Sequence, residues 1–206
     1  MMAGREATVL IVPGLRDHVP QHWQTLLASR LPRARTVAPM GRSNLDCVER
    51  VEAIEEAAAK IDGPIIVVAH SGGVIATLHW ARRTQRRLHG ALLATSADFD
   101  QPMPEGYPSM ETLQAGGWLP VPRYTLPFRS IVAASRNDPL ARYERIATLA
   151  PGAASWSTSA RSDISILRPA MATGQPAMAS SPSSLPRVCH RLPEIAPEHR
   201  RTMLMS

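Results

Sequence analysis

Four short segments of this chain are largely apolar, and each has the length of a strand. They are residues 9–12, 64–69, 88–94 and 130–134. A strand that is apolar on both faces is buried on both faces, which is typical of a parallel sheet covered by helices. The remaining predicted elements are helices at residues 22–31, 44–60, 74–83 and 138–149, with a short strand at 35–38. This alternation predicts an α/β fold with a mostly parallel sheet flanked by helices.

The chain divides into two unlike parts. Residues 1–150 carry the strand and helix patterns, and we predict that they form the folded core. Within the core, residues 95–128 are rich in Pro, Gly and polar residues, and we expect this excursion, with Trp118, to shape a pocket above the sheet. Residues 151–206 lose both periodicities and are rich in Ser and Pro, as in 180–186. They are predicted to be a low-complexity tail, either disordered or out of frame.

Composition excludes several classes of protein. The chain has 206 residues, of which 44% are hydrophobic and 19% charged, so it can bury a core. No apolar run has the length of a membrane span or of a signal peptide. Two cysteines, Cys47 and Cys189, are too few for a disulfide scaffold or a cysteine-built zinc site. We therefore expect a soluble cytoplasmic protein, not associated with a membrane, that uses no metal or organic cofactor.

The net charge of +6 invites a nucleic-acid partner. Lys60 is the only lysine among 23 basic residues, however, and such a bias reflects a GC-rich coding sequence. The densest basic cluster, Arg82, Arg83, Arg86 and Arg87, has no interleaved aromatic residue. It is predicted to be a solvated helix face, and we expect a small-molecule partner and no nucleic acid. The oligomeric state stays open.

Ser71 stands where a buried strand turns directly into an apolar helix, in the segment Ala69-His70-Ser71-Gly72-Gly73. This is the setting of a nucleophile elbow, in which a tight turn presents a serine hydroxyl at the carboxyl edge of a sheet. The usual pattern is Gly-x-Ser-x-Gly, and Ala69 is small enough for the first position. The backbone N–H of Gly72 is then expected to stabilise an oxyanion. The alternative is an ordinary turn in which the serine caps the helix.

A nucleophilic serine needs a base, and the base needs an orienting carboxylate. Asp138 follows the strand at 130–134 and is the candidate acid, although Asp-Pro is also a common helix start. The loop after the first strand lies where a second oxyanion donor is expected, and Leu15 is the candidate N–H. His22 is interpreted as a structural hydrogen-bonding residue.

Three motifs together carry a family resemblance: residues 12–15 with His22-Trp23-Gln24, then residues 69–73, then residues 134–139. In this order they resemble the small serine hydrolases related to retinoblastoma-binding protein 9, compact α/β-hydrolases often described as predicted esterases. The resemblance covers about residues 7–150. It implies Ser71 as nucleophile and Asp138 as triad acid. It also implies a Trp-Gly-Ser stretch at the last strand and a Gly-His-Ile-Asn-type motif that supplies the catalytic histidine.

The chain departs from that family after residue 150. No Gly-His pair follows Asp138, and the later histidines are His190 and His199. A reading frame shifted by one nucleotide permits Trp-Gly-Ser-Glu-Leu from residues 151–156 and Gly-His-Ile-Asn-Pro from residues 162–167. We therefore expect that the family's frame is lost near Pro151, with the last strand and helix lost too. His190 is the one candidate for a substitute base.

The sequence thus predicts an esterase-like serine hydrolase that acts on an ester or similar acyl bond through an acyl-serine intermediate. Without its histidine, the chain as translated is expected to be impaired or inactive. The alternative is a non-catalytic protein-interaction module on a hydrolase fold, because fold alone does not fix function.

Overall fold

Six strands form one sheet in the order β2-β1-β3-β4-β5-β6, and all neighbouring strands run parallel. The structure, a computed structural model, describes residues 6–158. The strands are β1 (Thr8–Val12), β2 (Ala34–Thr36), β3 (Ile65–His70), β4 (Leu88–Ala94), β5 (Ser130–Ser135) and β6 (Ala154–Thr158). The helices are α1 (Trp23–Arg30), α2 (Cys47–Ala59), α3 (Gly72–Ala81), α4 (Met110–Ala115) and α5 (Tyr143–Ile146). The predicted α/β architecture is confirmed.

The central strands are buried because both of their faces are covered. Leu10, Ile65 and Val67 are fully buried, as the apolar runs predicted. Helix α3 is apolar on nearly all sides, and eight of its ten residues are buried. It packs against β1, β3 and α2 and lies inside the protein. Among residues 6–158, no helix combines the length and apolar character that crossing a membrane requires.

The region after β5 differs from the prediction of a helix over residues 138–149. The Oδ1 atom of Asp138 accepts the N–H of Leu140 at 2.8 Å and closes a turn instead. A single short helix, α5, follows after Arg142. The Asp-Pro pair at 138–139 therefore begins a turn, because the aspartate side chain satisfies a backbone N–H two residues on.

The last strand is also present where the sequence predicted its loss. Strand β6 pairs in register with β5, from Ile131 opposite Ala154 to Ser135 opposite Thr158. The outer edge of β5 would otherwise carry unpaired backbone N–H and C=O groups. Backbone pairing satisfies them and places few demands on side-chain identity. The helix predicted to be lost falls outside the described residues.

Helix α3 starts unusually close to the end of β1, and Gly73 allows this. A Cβ atom added to Gly73 would lie 2.3 Å from the carbonyl oxygen of Pro13 and 2.7 Å from that of Val12. Both contacts are far inside van der Waals distance, and both are with backbone atoms that cannot rotate away. The glycine therefore sets the distance between the first strand and the helix after β3.

We expect Gly73→Ala to lower the free energy of unfolding by about 3 kcal/mol, because the methyl group must push strand and helix apart. Gly106→Ala is the control: the added Cβ meets nothing within 4 Å, and only its φ of +83° is strained. That control should cost about 1 kcal/mol. Urea unfolding followed by circular dichroism measures both, and equal losses would contradict the proposed clash.

Candidate active site

Ser71 is the single residue between β3 and α3, and its backbone is strained. Its φ is 52° and its ψ is −128°, in a region that non-glycine residues rarely adopt. Two hydrogen bonds fix this conformation: the N–H of Ser71 donates to Ala94 at 3.2 Å, and its carbonyl accepts from Val74 at 3.0 Å. The Ser71 side chain makes no capping hydrogen bond to α3. A serine that served only to cap the helix would make one.

The loop after β1 touches this turn directly. A Cβ atom added to Gly14 would lie 3.1 Å from the Cβ of Ser71 and 3.5 Å from its Oγ. A Cβ added to Gly72 would lie 2.8 Å from the Cγ of Leu15. Two small residues therefore let the loop and the turn meet beside the Ser71 hydroxyl.

Two backbone N–H groups at this contact are available as donors. The N–H of Gly72 opens α3, and the N–H of Leu15 belongs to the adjoining loop; within residues 6–158 neither makes a backbone hydrogen bond. The positive end of the α3 dipole lies at the same point. Leu15 and Gly72, the two predicted oxyanion donors, are thus neighbours across this contact.

A buried arginine anchors the loop. Arg50 on α2 is 6% exposed, and its guanidinium donates to the carbonyl oxygens of Leu15 at 3.3 Å, Gly41 at 3.0 Å and Asn44 at 2.9 Å. It also forms an ion pair with Asp17 at 3.4 Å. Arg50 therefore ties the loop after β1 to α2 and to the segment that precedes it.

Asp17 is the other half of this anchor. Its φ is +55°, and its Oδ2 accepts the N–H groups of Met40 and Gly41. Its own N–H donates to Gly14 at 3.0 Å. The carboxylate of Asp17 thus binds groups within the protein and holds the loop in place.

The histidine before Ser71 is packed into an aromatic cluster. The Nδ1 atom of His70 is hydrogen-bonded to the hydroxyl of Thr95 at 2.8 Å. Its ring lies 4.5 Å from His22 and 5.9 Å from Trp23, measured between centroids. Burial, with the neighbouring His22, lowers the pKa of His70 to about 3. His70 is therefore neutral at physiological pH and serves as a structural residue.

His22 is the N-cap of α1, and its Nδ1 accepts the N–H of Gln24 at 3.4 Å. Burial lowers its pKa too. Gln24 is buried, and its Nε2 donates to Val12 at 3.1 Å and to Val68 at 3.0 Å. Gln24 bridges β1 and β3 near their carboxyl ends. His22, which caps α1, has the structural hydrogen-bonding role expected from the sequence.

Asp138 lies after β5, on the same edge of the sheet as Ser71. It is half-buried, and burial raises the pKa of its carboxyl, while the hydrogen bond from Leu140 lowers it. It lines a recess with Asp98 and Arg145. Leu140 lines both this recess and the pocket that contains Ser71. The two sites are therefore adjacent.

The pocket above Ser71 has a volume of about 670 Å³. The predicted excursion forms one of its walls, through Phe99, Met103 and Tyr107. Trp118 does not line the pocket: it is fully buried and packs edge-on behind Phe99, with 5.3 Å between the ring centroids. The volume lies within the usual range for small-molecule sites.

The structure thus brings Ser71, Gly72 and Leu15 together, and Asp138 lies in the recess that adjoins their pocket. His190 lies outside the described residues. Sequence reasoning missed Asp17, Arg50 and Thr95, which only the fold brings to this edge. Within residues 6–158 no group of three His, Cys, Asp or Glu residues is arranged to hold a metal ion.

A model of a family described as serine hydrolase matches residues 9–162, about three quarters of the chain. No curated protein sequence matches significantly.

Solved structures share the fold. A YdeN-like hydrolase from Pectobacterium atrosepticum matches with a TM-score of 0.62 at 23% identity, over 75% of this chain and 77% of that one. The α/β hydrolase domain-containing protein 10 from mouse matches with a TM-score of 0.60 at 12% identity, over 81% and 88%. The ydeN gene product of Bacillus subtilis matches with a TM-score of 0.57 at 18% identity, over 74% and 85%.

We expect Arg50→Met to lower the free energy of unfolding by about 3 kcal/mol, because it leaves Asp17 buried without its cation. The double variant Arg50→Met with Asp17→Asn should recover part of this loss. Arg123→Met is the control: its ion pair with Asp100 is 2.8 Å long but about 30% exposed on both sides, and its loss should cost less than about 1 kcal/mol. Urea denaturation measures both losses. An equal loss of unfolding free energy at the two arginines would contradict the role of Arg50 as the anchor of the loop.

We expect acid to destabilise the protein through His70. Between pH 6.5 and about 3 the unfolded chain binds a proton at this residue that the folded protein excludes, so stability rises with pH across this window. Above pH 6.5 His70 does not reduce the free energy of unfolding. Below pH 6.5 it lowers this free energy by at most about 1.4 kcal/mol per pH unit. His70→Asn should flatten the dependence of stability on pH, whereas the exposed control His89→Asn should not. An unchanged slope in His70→Asn would rule this out.

Proposed function

Because the chain belongs to the serine hydrolase family, we propose that its site is built to hydrolyse an ester or similar acyl bond through an acyl-serine intermediate. One observation carries this proposal. Ser71 is held at a positive φ between a strand and a helix, without a capping bond, beside two N–H groups that have no backbone acceptor within residues 6–158. Strain of this kind costs about 1–3 kcal/mol and is concentrated at functional sites.

In this mechanism the Oγ of Ser71 attacks the acyl carbon, and a histidine takes its proton. The negative charge that develops on the acyl oxygen is stabilised by the N–H groups of Gly72 and Leu15 and by the start of α3. Asp138 orients the histidine and stabilises its charged form. A small-molecule ester or related acyl compound is the substrate class. The histidine passes the proton to the leaving alcohol, and it then takes a proton from the water that attacks the acyl-serine, so that the acid is released and the Ser71 hydroxyl is restored.

The histidine is the missing component. We propose that the chain is related to the retinoblastoma-binding protein 9 branch and that the family's reading frame is lost near Pro151, so that residues 151–206 form an unrelated tail. The predicted Gly-His motif would occupy residues 162–167 in the shifted frame. Loss of one triad member costs about 10⁴-fold or more in rate. The chain as translated is then a strongly impaired hydrolase, with His190 as the one candidate for a substitute base.

The nucleotide sequence across codons 145–170 tests the frame. Independent reads in which a single-base change restores Trp-Gly-Ser and Gly-His would support the proposal. If no frame encodes these motifs, the account of the tail is wrong, and a base from the existing tail, such as His190, must be sought.

A fluorophosphonate probe tests the nucleophile. We expect the frame-restored protein to be labelled at Ser71 and to hydrolyse short-chain p-nitrophenyl esters, and the chain as translated to react about 10⁴-fold more slowly or not at all. Ser71→Ala should abolish labelling, and Ser29→Ala on α1 should not. Tryptic mass spectrometry identifies the labelled residue. A folded frame-restored protein that is not labelled would favour the non-catalytic interaction module.

A further inference from the structure

Among residues 6–158, three charged side chains line the pocket above Ser71: Arg16, Asp17 and Arg42. The single carboxylate among them is already engaged. Asp17 pairs with Arg50, its side chain is 10% exposed, and its Oδ2 accepts two backbone N–H groups. Its negative charge is therefore balanced within the protein and does not offset the two arginines at the pocket.

The two guanidinium groups keep their charge for a ligand. Arg16 and Arg42 are exposed, and neither forms an ion pair with a carboxylate among residues 6–158. The histidines of the pocket, His22 and His70, have pKa values lowered by burial and add no charge at neutral pH. Asp138 faces the neighbouring recess. The pocket thus carries two positive charges that are not offset from its own wall.

Arg16 is held in place better than an ordinary surface arginine. It lies between Leu15, whose carbonyl accepts from Arg50, and Asp17, whose carboxylate pairs with Arg50. Its guanidinium carbon lies 5.1 Å from the centre of the ring of Tyr107, which also lines the pocket. Stacking on an aromatic face leaves the N–H edges of a guanidinium available for an anion.

Much of the remaining pocket wall is apolar. Val19, Leu45, Phe99, Met103 and Leu140 line it together with the arginines. A ligand that matches both the two arginines and the apolar wall has an apolar stem and a negatively charged end, and its reacting bond lies at Ser71.

We propose that this pocket selects anionic esters, in which a carboxylate on the acyl or alcohol part is bound by Arg16 and Arg42 while the apolar stem lies against Phe99 and Leu140. This assignment of a substrate class rests on the proposed function of Ser71. The binding of the anion itself requires no catalytic histidine, so it can be measured on the chain as translated.

Isothermal titration calorimetry on the full-length chain tests the proposal. The ligands are the monomethyl esters of succinate, adipate and suberate, each compared with the neutral analogue in which an amide replaces the carboxylate. We expect at least one carboxylate to bind about tenfold more tightly than its amide, as for a charge-assisted hydrogen bond, and this preference to shrink at high NaCl.

Arg16→Gln and Arg42→Gln should each reduce the preference, and the double variant should abolish it. Arg129→Gln is the matched control, because Arg129 is also an exposed arginine but lies before β5, at the opposite edge of the sheet from Ser71. Equal binding of acid and amide, or a preference unchanged in the double variant, would overturn the proposal.

The same titrations on the frame-restored protein, together with fluorophosphonate labelling, separate this proposal from that of the nucleophile. A carboxylate preference that depends on the arginines, in a frame-restored protein that the fluorophosphonate does not label at Ser71, would leave the anion site standing and reject the hydrolase mechanism. Labelling at Ser71 without a carboxylate preference would support the hydrolase mechanism and reject the anion site.

Discussion

The whole site depends on how closely the first strand and its loop approach the turn after β3. Gly73 brings α3 against the carbonyl oxygens of Val12 and Pro13, and Gly14 brings the loop against Ser71. Side chains at either position would separate the two segments. The contact buries the start of α3 and brings Leu15 against Gly72, the residue that follows the serine. The strained backbone of Ser71 is kept because the packing on both sides leaves it no room to relax.

A loop held by so few regular hydrogen bonds needs another anchor, and the protein uses a buried ion pair. The guanidinium of Arg50 binds three carbonyl oxygens and the carboxylate of Asp17, so nearly all of its donors are satisfied. A charged pair of this kind adds little net stability compared with an apolar replacement, but its geometry is directional. Arg50 therefore specifies where the loop lies, and with it the positions of Leu15 and Arg16.

The sheet could be predicted from the sequence because strands buried on both faces leave an apolar signature, and the strained turn because small residues surround Ser71. The Arg50 anchor of the loop could not be predicted from the sequence. Arg50 follows a pattern typical of a solvated helix position, and it is buried only because the segment that contains Gly41 and Asn44 wraps over it. Thr95 is likewise an ordinary polar residue until the fold brings its hydroxyl against His70. The helix predicted over residues 138–149 is shorter than expected and begins later, because the side chain of Asp138 closes a turn where periodicity favours a helix.

The presence of strand β6 at the sheet edge does not imply that the active site is intact. Backbone pairing with β5 needs only a short segment of small and β-favouring residues, which Ala154–Thr158 supplies. In parallel sheets, however, the chemistry lies in the loops that follow the strands, where individual side chains matter. A change of frame near Pro151 can therefore preserve the sixth strand and still remove the histidine that comes after it. On this reasoning the presence of β6 is compatible with the proposed loss of frame, and the base must be sought beyond the strand and not in it.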